Sequence, residues 1–582
     1  MALHLQFLPL CRGPTWWTLK HGNHTLKGYR SNISITNNIQ CINVAAQTVK
    51  SLRTKCHAIC SDYDSMISPR SGHSKDETQK IRVLELKENV KHLLADELIG
   101  PLAKLELIDA IKKLGVGYHF EEEIQAILSK TNKIVGCSDD DLYSNALRFR
   151  LLRDHGYDVT QDIFKSFQEE MGNFKACLCE DVKGMLSLYE ASHLGFENEN
   201  IMDEAKSFTT KHLKNYPNNG NINTTLGKKS AHSLELASYL RLPRGEARWY
   251  IDIYRGEETM IPSLFELAIL EYNVVQGTHQ KEITNVARWW EDLGLHKLSF
   301  VRDRIMMNYF WSVEMISEPQ FGHFREELTK VAILLTAIDD LYETHGSLEE
   351  LELFTDAVER WNVAAVEQLP QHMKLCYMAL LNANNNIGYQ VLKEQGYDIT
   401  SHQKKAWVKL CKAYLVEAKW FHQKHTPSVQ EYLDNGVYSA SVPLALINCY
   451  FLTTKTITEE AINCIELLDS QIYLPSIAAR LADDLAASKD EHSIGSKQCY
   501  MDELGVSEEV ACEHIRKLIR DNWKKMNKAR VSNHTFSEPF TSATTNICRI
   551  AECFSSFGDP HGDPSVSLEN LMSTVFEPIP LN

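Results

Sequence analysis

Apolar residues recur every three or four positions along most of the chain. Val83, Leu86, Val90, Leu93 and Leu94 make one such run, and Leu105, Leu107, Ile108, Ile111 and Leu114 make the next. That spacing gathers them on one face of a helix. No run of alternating apolar residues is long enough for a sheet. Breakers punctuate the pattern at short intervals: Gly115-Val-Gly117, Tyr216-Pro-Asn-Asn-Gly220, Leu242-Pro-Arg-Gly245, Gly294 and Gly396. The pattern predicts an all-α protein, a stack of helices with short connections. The most loop-like internal stretch is Asn218-Asn-Gly-Asn-Ile-Asn-Thr-Thr, and a second break falls near Trp289-Trp290-Glu-Asp-Leu-Gly294. We place the boundary between two helical domains at this second break, giving 70–288 and 289–582. No repeat of fixed period is visible, which argues against a solenoid.

At 582 residues the chain exceeds one compact core, and length suggests roughly two to four domains. Its 43% hydrophobic and 24% charged residues are the balance of an ordinary soluble protein. The two ends differ in charge. Nothing before Asp62 is acidic, while Arg12, Lys20, Lys27, Arg30, Lys50, Arg53 and Lys55 are basic. A basic, acid-free leader rich in Ser, Thr and Asn resembles an organellar transit peptide, and no long apolar stretch follows the start to suggest secretion or a membrane span. Residues 1–55 are therefore set aside from the fold, a disordered cytosolic tail being the plainer alternative. The formal charge of −16 argues against a nucleic-acid partner, because phosphate backbones need a basic surface. The 15 cysteines are scattered, with Cys56/Cys60 and Cys177/Cys179 the close pairs, and they read as reduced core residues rather than a zinc or disulfide framework.

The segment from Thr329 to Glu343 is a strongly apolar helix that ends in acids, with Asp339, Asp340 and Glu343 together. Asp339 and Glu343, four apart, share a helix face, where like charges repel. Hard oxygen ligands held together in spite of that suit Mg2+, which binds through one or two carboxylates plus water and substrate phosphate. With 77 acids in the chain, one such match is expected by chance on the order of once, so it needs corroboration. Asp139-Asp-Asp-Leu-Tyr143 is an equally acidic tract without the apolar helix, and it reads as a helix start or a loop cluster.

Corroboration comes from the segment Arg480 to Glu491. Arg480, Asp483, Ala487 and Glu491 are spaced three, four and four, the spacing of one helix stripe. An arginine one turn before a metal-type carboxylate makes sense if a phosphate bridges them, because its fork meets phosphate oxygens while acids hold the cations. Upstream, Arg302-Asp303-Arg304 brings two more guanidinium groups, for which a surface ion pair is the bland alternative.

Together these motifs resemble the plant terpene synthases, over about 500 residues from Ile81 to Leu581. Ala146-Leu-Arg-Phe-Arg-Leu-Leu-Arg, Leu188-Tyr-Glu-Ala-Ser-His, Ala287-Arg-Trp-Trp, Leu351-Glu-Leu-Phe-Thr-Asp, Val416-Glu-Ala-Lys-Trp420 and Gln498-Cys-Tyr-Met look like landmarks of that family in family order. The resemblance implies an N-terminal helical domain without chemistry of its own and a C-terminal class I terpenoid synthase α-bundle. It maps the first metal motif onto Asp339, Asp340 and Glu343 and the second onto Asp483, Asp484, Ala487 and Glu491. Asp339, Glu343, Asp483 and Glu491 would hold Mg2+, up to three ions, or Mn2+; Arg302, Arg304 and Arg480 would bind diphosphate, and Trp311 would line the carbocation pocket, core packing being its alternative.

Two departures stand out. Glu343 replaces an aspartate and lengthens the arm by one methylene, and Ala487 removes a hydroxyl ligand. Ser488, about 100° round a helix from it, is no simple replacement. The family's tandem-arginine motif associated with cyclic products is absent, and Thr278-His-Gln-Lys-Glu282 looks most like the acyclic linalool and nerolidol synthases. The implied enzyme is a monomeric plastid lyase, without membrane or nucleic-acid partners, that ionises geranyl diphosphate, and also farnesyl diphosphate, to an acyclic alcohol. Two rivals stay open: a chain-elongating prenyltransferase, against which the second stripe speaks, and an impaired paralogue that binds prenyl diphosphates without turnover.

Overall fold

The computed structural model describes residues 73–133, 141–216, 223–487, 495–556 and 573–581. The leader, most of the Asn218 stretch, Ser488 and Glu491 lie outside them. Among the described residues the secondary structure is helical, and extended backbone pairs only in an isolated bridge between Gln168 and Phe174. Local signals explain several helix ends. Asp141, from the acidic tract read as a helix start or a loop cluster, caps Leu142–Asp154 by accepting the Ser144 amide at 2.7 Å. Ser347 with Glu350, and Ser428 with Glu431, form capping boxes that open Leu348–Arg360 and Val429–Ser439.

Pro262–Leu293 is the beam between two hydrophobic cores. Leu264, Leu267 and Leu270 pack with Leu86, Ile108 and Ile251 in the first. Val286 and Trp290 pack with Leu334, Phe354, Leu380 and Ile447 in the second. The beam ends at Gly294, whose φ of 73° is the left-handed conformation that glycine tolerates best at a helix end. The break near 289–294 is thus a helix C-terminus, and the helix carries residues on both sides of 288.

Residues 573–581 lie along this beam as a strap. Gln276 donates to the Thr574 and Glu577 carbonyls at 3.0 Å each, Gln280 donates to Val575 at 2.9 Å, and Asn273 exchanges two 2.8 Å bonds with Ile579. Val575 enters the second core and Ile579 the first. Val429–Thr453 has the length and apolarity to cross a membrane, yet it is two helices broken at Ser441 (φ 61°) and mostly buried in the bundle.

Glu282, from the Thr278-His-Gln-Lys-Glu282 landmark, is the buried anchor between the beam and the helix Gly322–Asp340. Arg325, with no exposed surface, donates to it at 2.8 and 2.7 Å, and Tyr309 adds a 2.8 Å bond. Replacing Glu282 by Ala leaves that guanidinium buried without its carboxylate, with the Ile316 and Glu318 carbonyls still accepting from Nη1, so chemical denaturation is expected to show a loss of about 3–5 kcal/mol. A loss under about 1 kcal/mol would show that water replaces the carboxylate.

A second buried acid works in the opposite sense. Glu552 accepts from Trp523 Nε1 and lies near the Cys548 thiol, and burial pushes its pKa up from 4.5 to about 7. Below 4.5 it is protonated whether folded or unfolded, and between 4.5 and about 7 folding takes up a proton. The stability tied to the neutral form is therefore complete at low pH and lost as pH rises toward 7. Glu552→Gln, which stays neutral, is expected to gain stability relative to wild type across that window, by up to about 3 kcal/mol, and to show no further change above it.

Candidate active site

Both acidic motifs stand at helix C-termini, where the helix dipole disfavours negative charge. The first closes Gly322–Asp340, and the backbone then widens into a π-turn over Leu341–His345, closed by the Gly346 amide on the Leu341 carbonyl at 2.9 Å. A Cβ on Gly346 would meet Leu351 Cδ2 at 2.6 Å, so glycine lets the turn fold onto the next helix. The four-residue step from Asp339 to Glu343 thus runs from α into π winding, not along the regular helix face expected from spacing.

Asp340 is 1% exposed and turned toward Arg302. It accepts the Arg302 amide at 3.0 Å, Nε at 2.5 Å and also Nη2. Arg302 Nη2 is 3.7 Å from the exposed carboxylate of Glu343. Burial works against the Arg302 charge, but the bond to Asp340 and the field of Asp340, Asp339 and Glu343 outweigh it and raise the pKa. Arg304, at the N-cap position of Ile305–Met315, faces the same three acids, while burial and then Arg302 pull its pKa down. The Arg302-Asp303-Arg304 element and the first motif therefore form one patch. Trp311 is half-buried and stacks on Phe554, with centroids 5.9 Å apart.

The second motif closes Ser470–Ala486. Ala487, with a ψ of 124°, caps this helix, and Glu491 lies outside the described residues. The cause of the helix end is visible on both sides of it. Lys497 Nζ caps the Ala487 carbonyl at 2.7 Å, and Asp484 accepts the Ser496 amide at 3.1 Å, which returns the chain to the helix end. Arg480 and Asp483 remain in the helix, and Asp484 is 2% exposed. Arg480 donates Nη2 to Asp484 at 2.8 Å and Nε to the Tyr432 hydroxyl at 2.8 Å.

Residues that the sequence reading did not single out connect the motifs. Tyr414 is buried, and its phenol is held un-ionised first by burial and then by Asp339, Glu417 and Glu343. Glu417 accepts from Ser439 at 2.6 Å and Asn435 at 3.1 Å; burial raises its pKa against the pull of Arg480. Tyr414 thus lies within the field of the first acids and of Glu417, and Glu417 within that of Arg480. Glu417 lay in plain sight within the Val416-Glu-Ala-Lys-Trp420 landmark; Tyr432 carried no signal beyond an amphipathic helix.

Among the described residues no three of His, Cys, Asp and Glu form a ready-made metal cage. Mg2+ keeps several waters and takes only one or two carboxylates with substrate phosphate. Asp339 and Glu343 fit that donor set, whereas Asp340 and Asp484 are turned to arginines. A cavity of about 410 Å³ lies elsewhere, among Asp109, Arg150, Glu190 and Arg241, and contains none of the expected site residues.

Residues 57–234 match the model of the terpene synthase N-terminal domain, and 291–525 match that of the terpene synthase family metal binding domain. A chloroplastic myrcene synthase of Quercus ilex is 47% identical over 515 residues, covering 87% of this chain and 86% of that protein. A (-)-alpha-terpineol synthase of Vitis vinifera is 45% identical over 534 residues, 90% of each chain. The crystal structure of isoprene synthase from grey poplar, in complex with three Mg2+ ions and dimethylallyl-S-thiolodiphosphate, superposes with a TM-score of 0.81 at 40% identity, covering 86% of this chain and 98% of that one.

Asp340→Asn preserves shape but removes the charge that grips Arg302. The expected cost is about 2 kcal/mol of stability, the worth of a charge-assisted hydrogen bond, read from thermal unfolding. An unchanged midpoint would mean that Arg302 finds Asp339 or Glu343 instead.

Proposed function

The chain belongs to the plant terpene synthase family, and from that premise we propose that it ionises geranyl diphosphate in the plastid and releases an acyclic ten-carbon alcohol such as linalool. Farnesyl diphosphate, giving nerolidol, is the longer substrate of the same reading. The observation that carries the chemistry is that each carboxylate motif holds an arginine, Arg302 on Asp340 and Arg480 on Asp484, beside a more exposed aspartate. We assign the catalysis to the C-terminal part of the chain, acting as a monomer, with the N-terminal helices as its support.

Asp339, Glu343, Asp483 and Glu491 would hold Mg2+, with Mn2+ as the other candidate, and the bound ions supply positive charge to the departing diphosphate. Arg302, Arg304 and Arg480 bind the diphosphate oxygens and stabilise the negative charge that grows as the carbon–oxygen bond breaks. Trp311 offers an aromatic face to the allylic cation. Apolar walls keep bulk water out until the cation has formed. Capture of one water at the tertiary carbon, with loss of its proton, gives the alcohol. Loss of a proton from the cation itself gives an acyclic hydrocarbon, a second reading favoured by the 47% identity to a myrcene synthase.

Incubation of the purified protein with geranyl diphosphate and Mg2+ is expected to give linalool as the main volatile. Myrcene as the main product would favour the second reading, and a cyclic product would sink both. Neither product nor free diphosphate with Mg2+ or Mn2+ would leave the impaired paralogue, and a longer prenyl diphosphate on adding isopentenyl diphosphate would make the protein a prenyltransferase. Ala487→Ser is expected to lower the Mg2+ concentration required for half-maximal rate by about tenfold. No change would mean that water already serves there.

A further inference from the structure

Arg480 is held more elaborately than its ion pair requires. Its Nε–H goes to Tyr432 and an Nη2–H to Asp484, each at 2.8 Å. The Tyr432 hydroxyl donates in turn to Asp484, 2.8 Å from both carboxylate oxygens. The three side chains close a ring of bonds between Val429–Ser439 and Ser470–Ala486. Tyr432 has no exposed surface, and its ring lies 5.3 Å from the guanidinium carbon. One turn on, Gly436 makes room for the arginine stem: a Cβ there would stand 3.2 Å from Arg480 Cγ. Burial opposes the Arg480 charge, yet Asp484, Tyr432, Glu417 and Asp483 hold its pKa well above the ordinary value.

We infer that Tyr432 is a positioning residue for the proposed reaction, fixing the plane of the Arg480 fork toward the diphosphate, with Gly436 setting the depth of its stem. The inference rests on the diphosphate-binding role given to Arg480 above. The physical argument is one of alternatives. Without the hydroxyl, Asp484 is the strongest partner left, and the guanidinium is free to rotate about its bond to that carboxylate. A fork fixed at Nε and Nη2 has one orientation, and a loss of about 1 Å in placement costs about a hundredfold in rate. Charge on the leaving group grows toward the transition state, so a misaimed fork lowers kcat more than it raises KM.

The test uses the full-length protein, Tyr432→Phe, Arg480→Lys, their double variant and Gly436→Ala. Three quantities are read: kcat and KM with geranyl diphosphate and Mg2+, and calorimetric binding of inorganic diphosphate with Mg2+, which requires no turnover. Tyr432→Phe is expected to lower kcat by about ten- to a hundredfold with a smaller change in KM, and to weaken diphosphate about tenfold. In the Arg480→Lys background, which lacks Nε, removing the hydroxyl is expected to change nothing further. Gly436→Ala, in which alanine favours the helix, is expected to weaken diphosphate with Tyr432 intact, and reads the inference even if Tyr432→Phe folds poorly. Multiplying losses in the double variant, or diphosphate binding within twofold of wild type in both Tyr432→Phe and Gly436→Ala, would overturn the inference. An inert wild type that binds diphosphate refutes the proposed function alone, and the calorimetry still decides for or against Tyr432.

Discussion

Negative charge at the wrong end of a helix is the constraint around which this molecule is arranged. Gly322–Asp340 and Ser470–Ala486 both finish in paired aspartates, where the helix field and the neighbouring carboxylates repel them. In each pair the second aspartate is buried and given an arginine: Arg302 for Asp340 and Arg480 for Asp484. The first aspartate of each pair keeps more exposure. Division of labour follows from burial. The inner acids hold the arginines, and the outer acids face the more open side of each helix end.

Such a site needs walls that do not yield, and the buried polar groups elsewhere serve that end. Glu282 and Arg325 pin the helix of the first motif to the beam, and Glu314 accepts the Arg244 amide at 3.1 Å, where Pro243–Tyr254 begins. On the surface, Lys524 pairs with Asp203 and Lys528 with Asp158, between Glu508–Val531 and the N-terminal part, at 2.6 and 2.8 Å. The N-terminal helices contribute no expected site residue.

Much of this was legible in the sequence because helical periodicity and acid–arginine patterns are local. The three-to-four residue apolar spacing gave the helices, the Asp139 to Asp141 tract read as a helix start or loop cluster holds the cap Asp141, and Arg302 lies with Asp340 and Glu343 in one patch. What spacing could not give was backbone that departs from a regular helix. The π-turn after Asp340 depends on Gly346 meeting Leu351, and the end of the second motif's helix at Ala487 depends on Lys497 and Ser496 returning from beyond it. Tyr414, Glu417 and Tyr432 escaped for a different reason. They lie 48 to 75 positions from the motifs they serve, and only tertiary packing makes them neighbours. Glu491 and the leader lie outside the described residues.

The strap at 573–581 has a consequence for the order in which the molecule is made. Its carbonyls satisfy Asn273, Gln276 and Gln280 on the beam, and Val575 and Ile579 each fill a place in a different core. Those places stay empty while the ribosome is still adding the residues in between. Val575 is the last buried residue in chain order of its core and Ile579 the last of the other, so a chain made from its N-terminus adds them after the rest of each core.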